Sequence, residues 1–171
     1  VLPEEVTFVG NAIIAAMPYK KVSLPAVMDY LPEQYLIQGS EKFFHQKIIL
    51  DNIYISDIFI EENVFHFSEK TDAVIAEYRT QAGAEPLKLM LIRYPGSTIA
   101  SPAFDDVVTL WRSWSEKEFA EGDILTFQDK GNRYTSCLLI EDILCMTFLA
   151  LNKDDGAMLL NFVREKYRKG F

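Results

Sequence analysis

The sequence predicts an α+β fold in which helices pack on an antiparallel sheet of about five or six strands. Two observations lead to this prediction: strand-like segments follow one another across short turns, and helical periodicity is confined to separate stretches of the chain. The length of 171 residues fits a single domain with a core of its own. A start at Val1 without an initiator Met fits a fragment or the mature part of a longer chain.

The first third of the chain predicts two helices and one strand. Apolar residues recur at helical spacing over 7–17, and Pro18 ends that pattern. Ser23 and Pro25 favour the start of a short second helix that runs to Tyr30. Beyond it we expect a loop at 35–44, a strand at 48–55 and a short turn or helix at 56–59.

A hairpin and a long helix are predicted for the middle of the chain. Apolar and polar residues alternate over 72–80 and 86–94, and a glycine-containing loop joins these two strands. The helix covers 97–115, with Ser101 as a candidate N-cap and Pro102 as its first helical position. The side of this helix that we expect to be buried contains Ile99, Val107, Val108, Leu110, Trp111 and Trp114.

The last third predicts a three-stranded meander followed by a helix. The predicted strands are 124–128, 133–140 and 143–150, and the helix is 154–169. A loop is expected around Gly122, before the first of these strands. Because the second and third strands are apolar on both faces, we expect helices or loops to cover both sides of the meander.

Acidic residues outnumber basic ones, with 25 Asp and Glu against 17 Lys and Arg, and the formal net charge is −8. Such a chain repels phosphate backbones and anionic membrane surfaces, so nucleic acid is not expected as a partner. No apolar run reaches the roughly 18 residues of a transmembrane helix, and we expect a soluble domain. Phosphate-binding glycine loops and zinc-binding spacings are absent from the sequence, so we expect no cofactor and no metal.

The two cysteines, Cys137 and Cys145, lie in apolar strand segments, which favours buried free thiols. A two-residue turn at 141–142 would place them on opposite faces of the sheet. A three-residue loop would instead place them opposite each other, where a cross-strand disulfide could form. The sequence leaves both alternatives open.

His45 and His66 are the candidates for acid–base chemistry. His66 lies between Phe65 and Phe67 in an apparent strand, and carboxylates occur nearby at Asp51, Asp57, Glu61 and Glu62. Two histidines with carboxylates can bind a divalent metal or transfer protons, whereas the competing interpretation gives each histidine a structural or surface role. Ser40 lacks the Gly-x-Ser-x-Gly environment of a nucleophile and is interpreted as a turn or cap residue. Catalytic residues are therefore not identified.

Aromatic residues of the irregular first third suggest a binding site. Tyr35, Phe43 and Phe44, together with His45 and His66, are the candidate residues for binding a small molecule or a protein. The competing interpretation is that these aromatic side chains close one end of the sheet.

Four short stretches carry a resemblance to a known family. They are Leu-Pro-Glu at 31–33, Gly-Ser-Glu-Lys-Phe-Phe at 39–44, Ala-Glu-Tyr-Arg at 76–79 and Leu-Met-Leu-Ile-Arg-Tyr-Pro at 89–95. Over about residues 10–115 the chain resembles the C-terminal half of the bacterial domain-of-unknown-function family 6599. The resemblance implies a bacterial, often exported protein with an N-terminal half outside this sequence, and it implies no activity, cofactor or catalytic residue. A periplasmic or extracellular location is expected, with the cytoplasm as the alternative.

Together these patterns predict a non-catalytic binding or interaction module of the bacterial cell envelope. The alternative is a hydrolase or metal-dependent enzyme that uses His45 or His66 with nearby carboxylates. A third interpretation is a structural subunit of an envelope assembly, which a large exposed apolar patch would indicate.

Overall fold

The computed structural model describes residues 25–44 and 63–170, and the structural statements below concern these two segments. They contain a 3₁₀ helix (Ala26–Tyr30), β1 (Lys42–Phe44), β2 (Asp72–Tyr78), β3 (Leu87–Arg93), α1 (Ser97–Trp114), β4 (Lys117–Glu121), β5 (Ile124–Gln128), β6 (Tyr134–Ile140), β7 (Ile143–Ala150) and α2 (Lys153–Lys169). The elements predicted at 7–17, 48–55 and 56–59 lie outside the described residues. Within the described segments, no helix is both long enough and apolar enough to cross a membrane.

The strands form one antiparallel sheet in the order β1-β2-β3-β7-β6-β5-β4. The predicted α+β class is confirmed, with seven strands in the described segments instead of five or six. β2 and β3 form the predicted hairpin, β5 to β7 form the predicted meander, and β7 returns to pair with β3 in the middle of the sheet.

Of the two outer strands of the described sheet, β1 occupies the end of the loop predicted at 35–44, so that part of the prediction is wrong. The loop predicted at Gly122 is confirmed as the turn between β4 and β5, but no strand was predicted for β4. β1 has only three residues, and all five residues of β4 are exposed. Because hydrogen bonds to one neighbouring strand hold an edge strand in place, it needs no apolar alternation that a sequence pattern could reveal.

In the part of the chain that the structure describes, one α-helix covers each face of the sheet. α1 packs Ala103, Val107 and Trp111 on the face that is called the α1 face below. α2 packs Leu160 and Val163 on the opposite face, the α2 face, where the 3₁₀ helix also packs. The prediction that both sides of the meander are covered is therefore confirmed, and the core consists of two apolar layers separated by the sheet.

α1 differs from its prediction at its start and on its surface. Gly96 precedes the first helical residue and Pro102 lies inside the helix, so the prediction of Ser101 as N-cap is wrong. The missing N–H of Pro102 removes one helical hydrogen bond near the first turns, and the helix continues through it. Ile99 and Trp114, which we predicted to be buried, are 41% and 37% exposed. Ile99 lies beside the buried stripe, and Trp114 is the last residue of the helix.

The β6–β7 hairpin fixes the relation between the two cysteines. Ile140 pairs with Ile143 across a two-residue turn, which leaves Cys137 opposite Met146. Cys137 lies in the α1-face layer and Cys145 in the α2-face layer, and both are buried free thiols. The two-residue turn is thus the alternative that the structure contains, and side chains on opposite faces cannot form a disulfide.

Candidate functional site

His66 lies in a turn, so the prediction that it occupies a strand between Phe65 and Phe67 is wrong. The turn is fixed by Asn63, whose side-chain oxygen accepts from the Phe67 N–H and whose side-chain amide donates to the Phe67 carbonyl, both at 3.0 Å. His66 has a φ of 50°, and its N–H donates to the Asn63 carbonyl at 2.8 Å. These local hydrogen bonds take the place of strand pairing.

The turn brings His66 to α1. Its Nε2 lies 2.8 Å from Oδ2 of Asp106, and the two side chains are 34% and 60% exposed. No sequence pattern connects these residues, because 40 positions separate them. The other members of the predicted acid–base site, His45, Asp51, Asp57, Glu61 and Glu62, lie outside the described residues.

A cleft of about 410 Å³ adjoins this His–Asp pair. Its lining residues are Asn63, Val64, Asp106, Thr109, Leu110 and Ser113. The Ser113 hydroxyl donates to the Leu110 carbonyl at 2.7 Å, so it is engaged with its own helix. In 25–44 and 63–170, no group of three or more His, Cys, Asp and Glu side chains is arranged to hold a metal ion. Asp106 of the His–Asp pair therefore lines the cleft, and the Ser113 hydroxyl beside it is not activated as a nucleophile.

Two of the predicted aromatic binding residues, Phe43 and Phe44, lie on opposite faces of the sheet. Phe44 is buried in the α1-face layer, with its ring centroid 5.7 Å from that of Phe67. The neighbouring Phe43 packs on the α2-face layer, as alternation along β1 requires. Tyr35 is 47% exposed and has a φ of 66°. Ser40 has a structural role, because its hydroxyl accepts from a main-chain N–H of β2 at 3.0 Å.

Neither cysteine provides a reactive thiol. Burial raises the pKa of Cys137 to about 12, and it raises the pKa of Cys145 as well. Because the thiolate is the nucleophile and the metal ligand, a buried thiol that stays protonated near neutral pH serves neither purpose.

The strand at the far edge of the sheet, β4, is exposed at all five of its positions. It pairs with β5 on one side, and no described strand pairs with it on the other. Such an edge presents unpaired main-chain N–H and C=O groups, to which an extended chain can add as a further strand.

The side chains of β4 alternate between the two faces. Lys117, Phe119 and Glu121 lie on the α2 face, because the β5 partner of Glu121 belongs to the α2-face core. Glu118 lies on the α1 face, where Nε and Nη2 of Arg112 donate to its two carboxylate oxygens at 3.0 and 2.9 Å. These hydrogen bonds lower the pKa of Glu118 and tie β4 to the end of α1.

A groove of about 330 Å³ lies beside β4 on the α2 face. Its lining residues are Phe119, Ala120, Glu121, Thr126, Lys153, Asp154 and Ala157. The Phe119 ring is 37% exposed, its centroid is 6.4 Å from that of Tyr134, and Nζ of Lys153 is 5.7 Å from it. The groove therefore combines an exposed aromatic ring with charges of both signs.

Thr126, which lines this groove, lies near the point where α2 meets the sheet at Gly156. The hydroxyl oxygens of Thr126 and Ser136 lie 2.8 Å apart beneath the helix. A Cβ at position 156 would lie 2.5 Å from Oγ1 of Thr147 and 2.8 Å from Oγ of Ser136, so this close approach requires glycine. Thr147 Oγ1 is buried with no hydrogen-bond partner among the described residues.

The β4 strand was not predicted, although the sequence contains one signal for it. Gly122 and Asp123 separate residues 117–121 from 124–128, and a two-residue Gly-Asp connection is typical of a hairpin. The signal was weak because 117–121 carries three charged residues and no buried face.

Comparison of the chain with models of protein families finds no match, and comparison with curated proteins finds none.

Proposed function

We propose that this chain is a non-catalytic interaction module that binds an extended partner segment along the free edge of β4. The observation that carries the proposal is a strand edge to which no described strand pairs, exposed at all five positions, beside a groove with an exposed aromatic ring. A bound segment would add a strand to the sheet, with main-chain hydrogen bonds providing affinity and contacts to Phe119 and Lys153 providing selectivity.

The resemblance to family 6599 extends the proposal to the location of the protein. Because members of that family are often exported, we propose that the module acts in the bacterial cell envelope, on the periplasmic or extracellular side. The net charge of −8 favours a protein partner over nucleic acid.

Ala120→Pro tests the proposed binding edge. The N–H of Ala120 points away from β5, so proline removes an outward donor without removing a hydrogen bond within the sheet. Peptides selected from a random displayed library for binding to the unmodified protein should bind Ala120→Pro about tenfold or more weakly. Calorimetric titration measures this loss, and equal binding to both proteins would refute the proposal.

Ala82→Pro is the matched control, because it places the same residue type in an exposed turn. In that turn the Ala84 N–H donates to the Gln81 carbonyl at 3.2 Å, and Gly83 has a φ of 79°. Proline is favoured at the second position of such a turn, so the fold should be retained. Peptide binding to this variant should equal binding to the unmodified protein.

The His66–Asp106 pair supports a second candidate function, acid–base chemistry in the adjacent cleft. A hydrolase at this site would turn over simple nitrophenyl esters or phosphates, and both His66→Gln and Asp106→Asn would reduce the rate. Absence of turnover by the unmodified protein, or rates that both substitutions leave unchanged, would exclude this function.

A further inference from the structure

The β4 sequence, Lys-Glu-Phe-Ala-Glu, is complementary in charge to a second copy of itself running in the opposite direction. Lys117 and Glu121 lie at equal distances from Phe119, and all three residues are exposed on the α2 face. If two copies meet antiparallel with their Phe119 residues opposite each other, Lys117 of each copy lies opposite Glu121 of the other. Opposite charges directly across two strands stabilise their pairing.

The main chain favours the same alignment. Glu121 and Ile124 close a two-residue turn, and such a closing pair exchanges hydrogen bonds. By alternation Phe119 also directs its N–H and C=O toward β5, whereas Glu118 and Ala120 direct theirs to the free edge. A second copy of β4 that adds antiparallel must form its hydrogen bonds with the same outward-facing groups. Its Glu118 and Ala120 must therefore lie opposite Glu118 or Ala120 of the first copy.

The possible registers differ in the side chains that they bring together. Glu118 opposite Glu118 sets two like charges across from each other, which destabilises a strand pair. Ala120 opposite Ala120 brings Phe119 against Glu121 and leaves Lys117 beyond the end of the opposing strand. Glu118 opposite Ala120 is the remaining register, and it is the one that forms both Lys117–Glu121 pairs.

We propose that a second copy of this chain docks antiparallel on β4 in this register, joining two sheets across a two-fold axis at Phe119. The inference rests on the proposed function of β4 as a binding edge and deepens it by naming the partner. The shared edge has five residues, so the contact is small. Weak, reversible association is therefore expected.

Charge reversal tests the register. Lys117→Glu and Glu121→Lys each set like charges opposite one another, and each should weaken self-association about tenfold or more in sedimentation equilibrium. The double variant Lys117→Glu/Glu121→Lys restores opposite charges and should return the dissociation constant to within about threefold of the original. An equimolar mixture of the two single variants should also associate, because their β4 strands complement each other.

Two controls separate the register from general effects of charge. Lys70→Glu and Glu69→Lys change the net charge equally at exposed positions outside β4, and they should leave self-association unchanged. Amide hydrogen exchange provides a second measurement, which does not depend on any variant. Exchange at Glu118 and Ala120 should slow as the protein concentration rises, while exchange at Phe119 should not change.

Self-association through β4 and peptide binding by β4 can fail independently of each other. No self-association up to about 1 mM, or a double variant as weak as the single variants, would overturn the second copy as partner. If selected peptides then still depend on the Ala120 N–H, β4 is a binding edge for another protein. If peptide binding is also indifferent to Ala120→Pro, both proposals fail.

Discussion

Arg112 at the end of α1 holds Glu118 of β4 through two parallel hydrogen bonds of 3.0 and 2.9 Å. The pair joins a helix that lies on one face of the sheet to the strand that forms its edge. Paired N–H donors aimed at both carboxylate oxygens make this a geometrically specific contact. Since both side chains are exposed to solvent, the contact orients β4 more than it stabilises the protein.

Arg112→Gln should raise the pKa of Glu118 toward the ordinary value of about 4.3. In the folded protein the Arg112 hydrogen bonds lower the pKa of Glu118. Their contribution to the free energy of unfolding is therefore present above the unfolded-state pKa and is lost as the pH falls through the folded-state pKa. NMR titration of the Glu118 carboxyl carbon measures the shift. Arg168→Gln, at an exposed position at the end of α2, should leave the midpoint unchanged, and an unchanged midpoint in Arg112→Gln would contradict the prediction.

Gly156→Ala should destabilise the protein by about 1–3 kcal/mol, because its methyl group would overlap the hydroxyls of Thr147 and Ser136. Urea denaturation followed by circular dichroism measures the change in the free energy of unfolding. Gly96→Ala is the control, since a Cβ there meets no atom within 4 Å. Equal stability losses in the two variants would show that the close approach of α2 is not the cause.

Thr147→Val and Thr126→Val should change stability in opposite directions. Thr147 Oγ1 is buried without a partner among the described residues, so replacing it with a methyl group should stabilise the protein by about 1 kcal/mol. Thr126→Val would leave the buried Ser136 hydroxyl without its 2.8 Å partner and should cost about 1–3 kcal/mol. The same denaturation experiment compares the two variants. If both change the free energy of unfolding in the same direction, the prediction is contradicted.

Iodoacetamide should modify neither Cys137 nor Cys145 in the native protein at about pH 8, because the thiolate is the reactive form. The Cys137 pKa rises from 9.0 to about 12 on folding. The contribution of the Cys137 thiol to the free energy of unfolding is therefore complete below its unfolded-state pKa. It is lost as the pH rises through its folded-state pKa. Mass spectrometry before and after denaturation counts the modified thiols, and rapid native modification of either one would refute its burial.

Ala82→Pro should stabilise the protein by about 0.4–1 kcal/mol, because it restricts the unfolded chain at a position compatible with proline. Its neighbour Gly83 already adopts the positive φ that the turn requires. Thermal denaturation measures the gain. Gly83→Pro should instead destabilise the protein, since proline cannot adopt that φ.

The core of the fold was predictable because it depends on local patterns. In the β2–β3 hairpin and the β5–β7 meander, apolar and polar residues alternate or apolar residues follow one another, and turn residues separate the strands. The burial of these strands follows from that pattern. β1 and β4 were not predictable in this way, since they owe their conformation to one neighbouring strand. Phe43 and Phe44 show the consequence: once 42–44 is a strand, adjacent rings must point to opposite faces and cannot form one binding site.

The candidate sites depend on relations that sequence spacing does not report. His66 meets Asp106 only because Asn63 shapes a turn that docks on α1, 40 positions away. The β4 edge is a candidate site because no described strand pairs with its outer side, and a single segment cannot reveal its position in the sheet order.

The pairing of β3 with β7 has a consequence for folding kinetics. Nε of Arg93 meets Oδ2 of Asp142 at 3.3 Å across 49 positions of sequence, and the Tyr94 N–H donates to the Asp142 carbonyl at 2.9 Å. β3 pairs with its sequence neighbour β2, and β7 pairs with its sequence neighbour β6, so these two pairs can form early. Joining them requires closure of a long loop that contains α1 and β4, and its entropic cost precedes the contacts that it allows. We therefore expect the pairing of β3 with β7 to set the rate at which the whole sheet folds.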